Sequence, residues 1–133
     1  MRLFKTFLSP LFVILSFLLI VISGEQTGGF YFSYLWRAIP HGNSYALVAI
    51  FGIVILLLTA LGPFTNKTLL LPILNQSGAL LLLMSIYIFF AGDSTGYNTS
   101  TFSQVVPLIT IIIFLLLVIW FIYINFAALL SKN

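Results

Sequence analysis

Four long runs of apolar residues dominate the chain, and all of its charged residues lie outside them. The runs cover about residues 7–22, 45–61, 69–91 and 105–130. A helix of roughly 20 residues crosses the hydrocarbon core of a bilayer, and lipid offers no hydrogen-bond partner to an open backbone. The pattern therefore predicts an all-α integral membrane protein, folded as a single membrane domain that is a four-transmembrane-helix bundle.

Composition agrees with a protein whose solvent is lipid. Hydrophobic residues make up 62% of the chain and charged residues only 5%, whereas a soluble domain has roughly a quarter charged residues. The net charge of +3 comes from five Lys and Arg that are spread along the chain. No basic stripe is formed, so we expect the lipid bilayer and no nucleic acid as a partner.

The charges also predict an orientation. With four spans, the N-terminus, the second loop and the C-terminus share one side of the membrane, and that side has Arg2, Lys5, Lys67 and Lys132. The other side has Arg37 together with the acidic residues Glu25 and Asp93. By the positive-inside rule both termini are cytoplasmic. The simple loops favour a bacterial plasma (inner) membrane.

The N-terminal segment has a second interpretation. Two basic residues, an apolar stretch and the small residues around Ser23 resemble a secretory signal with a cleavage site after Ser23. Cleavage would leave three spans and place the new N-terminus outside. The uncut four-span chain is the interpretation that we carry forward.

The first outer loop, about residues 24–44, is rich in aromatic residues. Trp and Tyr combine an apolar body with a polar edge, which suits the membrane–water interface. We expect a short helix or re-entrant turn on the outer surface, ended by Pro40 and Gly42. Its candidate contact residues for a partner or ligand are Trp36, Arg37 and His41.

Small residues recur at helical spacing within the runs. Such residues let helix backbones approach closely and can hydrogen-bond across the contact. The expected packing stripes are Ser9, Ser16 and Ser23, then Ala49, Gly52 and Thr59, then Gly78, Ser85 and Gly92. A polar conduction path lined by these hydroxyls is the alternative. The runs contain no Asp, Glu, Lys, Arg or His, which disfavours a proton relay or a voltage sensor.

Three consecutive polar residues, Asn75, Gln76 and Ser77, lie inside the third run. Carboxamides in lipid are costly unless they are paired. Successive helical residues point about 100° apart, so the three side chains cannot share one partner. We expect either an interhelical hydrogen-bond cluster or a contact to a partner subunit or polar ligand. Asn125, near the end of the fourth run, is expected to be solvated at the inner interface.

Enzymatic chemistry finds little support in the sequence. His41 is the only histidine and there is no cysteine, so neither a metal site nor a cofactor is expected. The polar outer residues Glu25, Arg37, His41 and Asp93 form the one conceivable active-site patch.

The preferred hypothesis is therefore non-enzymatic. We expect a small accessory or structural subunit that docks in the membrane against larger integral membrane subunits or against itself. Transport or binding of a small molecule or lipid, by the bundle or a homo-oligomer, is one alternative. A membrane immunity or sensor protein that uses the aromatic outer loop is another.

Overall fold

A computed structural model describes residues 9–23, 28–62 and 69–131 of the chain. These residues are mostly helical. The α-helices are α1 (Pro10–Leu18), α2 (Tyr31–Ala38), α3 (Ser44–Leu61), α4 (Leu70–Ala91) and α5 (Val105–Leu130). Two short strands, β1 (Val21–Ile22) and β2 (Gly29–Phe30), pair antiparallel, and 3₁₀ turns cover Ile39–His41 and Tyr97–Ser103.

The helices α3, α4 and α5 are each long and apolar enough to cross a membrane. Their bounds agree with the predicted second, third and fourth runs to within one residue. Between 28% and 33% of the residues in the most apolar window of each helix are buried inside the protein. Most of each helix surface is therefore left for lipid or for another protein.

The predicted first span is wrong as a continuous helix. Within the described part of residues 7–22, the helix begins at Pro10 and ends at Leu18, and Val21–Ile22 is a strand. Apolar composition alone does not distinguish a helix from a buried extended segment. Residues 7 and 8 lie outside the described residues. The chain thus changes from helix to extended backbone about three quarters of the way along a run that looks uniform in the sequence.

Side chains from α5 and the loop before it bind the extended backbone. The Val21 N–H donates to Thr110 Oγ1 over 3.0 Å, and the Thr110 hydroxyl in turn donates to the Pro107 carbonyl. The Thr101 hydroxyl accepts from the Ser23 N–H and donates to the Ser23 carbonyl, at 3.0 and 3.1 Å. Polar backbone groups that leave a helix need such internal partners where water is scarce.

Helices α3 and α4 cross closely at two glycines. A Cβ atom added to Gly78 would lie 2.7 Å from Leu56 Cγ, and one added to Gly52 would lie 3.0 Å from the Gly78 carbonyl oxygen. Only glycine permits such an approach without displacing its neighbours. On α3, Ala49 and Thr59 are buried on the same side as Gly52. The predicted stripes of α3 and α4 thus pack inside the chain.

Four of the nine small residues do not lie on such a stripe. Ser23 follows β1 and is not on a helix, so it cannot continue a face from Ser9 and Ser16. Ser9 caps the start of α1, and the Ser16 hydroxyl donates to the Val13 carbonyl within the helix. Gly92 is exposed just after the last residue of α4.

We use the name cap for residues 19–23, 28–43 and 92–104, which gather at the end of the bundle where α4 ends and α3 and α5 begin. The cap contains the two strands, α2 and both 3₁₀ turns. Gly42, which follows the first of these turns, has a φ of +63° that favours glycine. The predicted helix in the first loop is thus present as α2, and the turn after it ends at Gly42 as expected.

Candidate functional site

The polar cluster of α4, Asn75, Gln76 and Ser77, is bonded to α5 through Asn75. Asn75 Nδ2 donates to Asn125 Oδ1 over 3.0 Å, and Asn125 Nδ2 donates to the Phe121 carbonyl over 2.8 Å. Both asparagines are buried. The expectation that Asn125 is solvated at an interface is wrong, because its side chain is enclosed between the helices. The pair links α4 to α5 through a hydrogen bond that lipid does not compete for.

Two polar atoms of this cluster have no hydrogen-bond partner among the described residues. They are Asn75 Oδ1 and Gln76 Nε2, and both atoms are buried. An amide left unpaired in an apolar environment costs on the order of 2 kcal/mol or more. The Gln76 residue as a whole is partly exposed.

Ser77 faces away from the bundle. Its hydroxyl donates to the Ile73 carbonyl one turn earlier, over 2.9 Å, and the residue is exposed. It belongs to a straight exposed stripe of α4 that we call the α4 face, composed of Ile73, Ser77, Leu80, Met84 and Tyr87. Gln76 borders this face. The three consecutive polar residues therefore point to different surroundings, as helical geometry requires.

Tyr31 fixes α2 to the bundle. Its ring is fully buried and stands edge-on to Phe17 and Phe89, at centroid distances of 5.1 and 5.3 Å. The Ser85 hydroxyl donates to the Tyr45 carbonyl over 2.8 Å, so it accepts the Tyr31 hydroxyl proton over 2.9 Å. One side chain thus connects α2 with α1, α3 and α4.

The opposite side of α2 is open. Trp36 is 69% exposed, Phe32 and Arg37 are also exposed, and with Ser33 they border an open cleft of about 330 Å³. His41 is exposed at the end of the following 3₁₀ turn. The three candidate residues of the first loop therefore lie at the surface. Among the described residues, no three His, Cys, Asp or Glu side chains come together as a metal site would require.

Sequence reasoning missed several residues that organise the cap. Tyr31 is one of several aromatic residues in a run without periodicity, and nothing in the sequence marks it as the buried one. Thr101 lies in a polar loop but is fully buried against Ser23. Asn125 is the one case with a usable signal, because an isolated carboxamide in an apolar run needs a partner and Asn75 is another.

Comparison with known proteins finds no matching family model, no matching curated protein and no matching solved structure.

Proposed function

We propose that this chain is a non-enzymatic four-span membrane protein that works as an accessory subunit, docking through the α4 face against another integral membrane protein or a second copy. The observation that carries the proposal is the Gln76 amide. Its nitrogen has no partner among the described residues, and its side chain borders a face that already presents the Ser77 hydroxyl. A neighbouring helix with a carbonyl or carboxamide acceptor would satisfy it.

The four-span topology rests on the length of the first segment. Nine helical residues in α1 rise about 13 Å. Residues 20–23, which include the strand Val21–Ile22, add about 13 Å at the rise of an extended chain. The sum is close to the ~30 Å thickness of a hydrocarbon core. A short helix followed by an extended segment is therefore long enough for a fourth crossing.

Burial supports retention of the first segment. Val13, Phe17, Ile20 and Ile22 are all essentially unexposed and belong to the same core as α4 and α5. Cleavage after Ser23 would expose the surfaces that these side chains cover. We therefore propose the uncut chain, with both termini in the cytoplasm and the cap residues 28–43 and 92–104 outside a bacterial plasma membrane, as the charge distribution favours.

Capture of partners from the native membrane tests the docking proposal. The wild-type chain is extracted in mild detergent and its co-purifying subunits are quantified by mass spectrometry, next to a Gln76→Met variant and a Met84→Leu control. Loss of one interhelical hydrogen bond is worth about 0.6 to 1.4 kcal/mol, so Gln76→Met should retain about threefold to tenfold less partner. Met84→Leu alters the same face without removing a polar group and should retain a normal amount.

Cross-linking locates the contact. The chain contains no cysteine, so a single Ser77→Cys replacement provides a unique attachment point on the α4 face. Val54→Cys is the matched control, because Val54 is exposed on α3 and lies equally far, seven residues, from the corresponding end of its helix. A cross-link from position 77 and none from position 54 supports the proposal. A lone small particle without cross-links in native membranes contradicts it.

A sensor role is the second candidate, favoured by the exposed side of α2. Trp and Arg are the residues that dominate binding energy at protein interfaces, and here Trp36 and Arg37 stand on a helix that Tyr31 holds rigidly. If the cap recognises an outer protein, Trp36→Ala should weaken capture of that protein while Gln76→Met does not. The reverse pattern favours the accessory subunit.

A further inference from the structure

A second cleft in the cap has the chemistry of a cation site. It lies between α2, the start of α3 and the end of α4, and measures about 430 Å³. The lining residues that carry the argument are Tyr34, Asn43, Tyr45, Phe89, Asp93 and Asn98. Binding pockets for small ligands start at about 300 Å³, so the cleft has room for a compact ligand or for the headgroup of a lipid.

Three aromatic rings shape one end of the cleft. Phe89 is 7% exposed and forms the floor. The ring of Tyr34 stands at 78° to it with a centroid distance of 5.5 Å, and the ring of Tyr45 stands at 75° with a centroid distance of 5.1 Å. The rings of Tyr34 and Tyr45 thus both pack edge-to-face with Phe89, and all three residues line the same cleft. Such surfaces attract cations through the ring quadrupole, and quaternary ammonium groups are bound in this way.

A carboxylate lies at the rim. Asp93 follows Phe89 by four residues, and its two oxygens accept one hydrogen bond each, from Thr95 Oγ1 at 3.0 Å and from the Asn98 N–H at 2.6 Å. These bonds hold the carboxylate in place. A carboxylate has about four acceptor positions, so it retains capacity for a ligand.

The fields of the neighbouring groups favour a cation. No Lys or Arg is among the described residues that line the cleft. The C-terminus of α4 adds about half a negative charge, and the N-terminus of α3 adds about half a positive charge. These two contributions oppose each other, so the full charge of Asp93 decides the sign.

We propose that this cleft binds a quaternary ammonium group, either on a free solute of the choline type or on a phosphocholine lipid headgroup. The Tyr34, Tyr45 and Phe89 rings surround the methyl groups, and Asp93 neutralises the charge. This goes beyond the docking function, because it involves neither Gln76 nor the α4 face.

Thermal unfolding of the purified chain in a maltoside detergent tests the site. The probes are choline and its uncharged carbon analogue 3,3-dimethylbutanol, which has the same shape. A ligand present at 100 times its Kd stabilises the folded state by about 2.7 kcal/mol, which raises the unfolding temperature by several degrees. Choline should produce this shift and the uncharged analogue should not. An equal shift with both compounds overturns the proposal.

Variants test whether the rise in the unfolding temperature comes from binding in the cleft. Asp93→Asn keeps an acceptor for the Asn98 N–H but removes the second acceptor and the charge, and should weaken choline binding about tenfold or more. Tyr34→Leu removes one of the aromatic rings that line the cleft, and it provides a second test if Asp93→Asn does not fold. Tyr87→Leu, on α4, is the control, because Tyr87 is exposed and does not line the cleft. Unchanged binding in both Asp93→Asn and Tyr34→Leu overturns the proposal.

Nanodiscs distinguish the two sources of the ligand. If the lipid is the ligand, phosphatidylcholine discs should raise the unfolding temperature above that in phosphatidylglycerol discs, and Asp93→Asn should abolish the difference. If the solute is the ligand, free choline alone produces the shift. No effect of either choline or phosphatidylcholine contradicts the site.

Discussion

Tyr31 and Gln76 represent two outcomes for a polar group in an apolar protein. The Tyr31 hydroxyl is fully buried but bonded to Ser85, so it costs little and connects α2 to the bundle. The Gln76 amide nitrogen is buried without a partner among the described residues. Paired groups stabilise a fold, and an unpaired one indicates a missing contact. The sequence indicated that Asn75, Gln76 and Asn125 each need a partner, but not which carboxamide of the first two would pair with Asn125 and which would stay unpaired.

The Tyr31 hydroxyl makes the stability of the protein depend on alkaline pH. Burial raises the pKa of Tyr31 above its ordinary value of 10.0, although its hydrogen bond with Ser85 acts in the opposite direction. Above pH 10 the unfolded chain loses this proton while the folded chain keeps it, so the contribution to stability falls as the pH rises. The expected decrease is up to about 1.4 kcal/mol per pH unit.

The Tyr31→Phe variant isolates this effect. At neutral pH it should lose about 1 kcal/mol, because one buried hydrogen bond is removed. Between pH 10 and 11.5 its free energy of unfolding should fall less steeply than that of the wild type. Tyr97→Phe is the control, since Tyr97 is exposed in the second 3₁₀ turn. Parallel pH profiles for the wild type and Tyr31→Phe would refute the burial argument.

At the scale of elements, the sequence predicted the three long helices because each is a long apolar run that ends at Gly, Pro or polar residues. It failed at the first run, where the extended backbone depends on Thr101 and Thr110, which lie about 80 to 90 residues further along the chain. A local sequence pattern cannot indicate hydrogen-bond partners that lie so far along the chain. The crossing of α3 and α4 was foreseeable from Gly52 and Gly78, but their pairing with each other was not.

The Thr101 hydroxyl should be essential to the extended segment. Thr101→Val has nearly the same volume but leaves the buried Ser23 N–H without its acceptor. We expect a loss of about 1 to 3 kcal/mol in the free energy of unfolding and faster hydrogen exchange at residues 21–23. The exposed Thr99 bonds only within its own turn, so Thr99→Val should change neither quantity. Unaltered exchange in Thr101→Val would contradict the proposed fixation of the strand.

The α3–α4 crossing should tolerate no added methyl group at Gly78. Gly78→Ala should lose about 1 to 3 kcal/mol through overpacking against Leu56. Because the atom in the way is the side chain of Leu56, Leu56→Ala should partly compensate, giving a non-additive double-mutant cycle in detergent unfolding. Gly29→Ala is the control, because its nearest neighbour would lie 3.7 Å away. Strictly additive losses would show that the two positions do not touch.

At the scale of the whole molecule, the first segment decides the number of crossings. The described residues include three helices that are long and apolar enough to span, and we propose that α1 followed by residues 20–23 provides a further path of about 26 Å. Hydropathy predicted the three long helices correctly but assigned a continuous helix to the first run as well, which is wrong. Which candidate site residues are exposed and which are paired could not be predicted, because both depend on the three-dimensional packing of the bundle.

Labelling of single cysteines in intact cells tests the four-span topology most directly. Because the natural chain has no cysteine, each of the variants Thr6→Cys, His41→Cys, Thr99→Cys and Ser131→Cys reports one position. A membrane-impermeant maleimide should label positions 41 and 99 in intact cells, and positions 6 and 131 only after the membrane is opened. Labelling of position 6 together with position 41 in intact cells would show that the first segment does not cross, and would contradict the account.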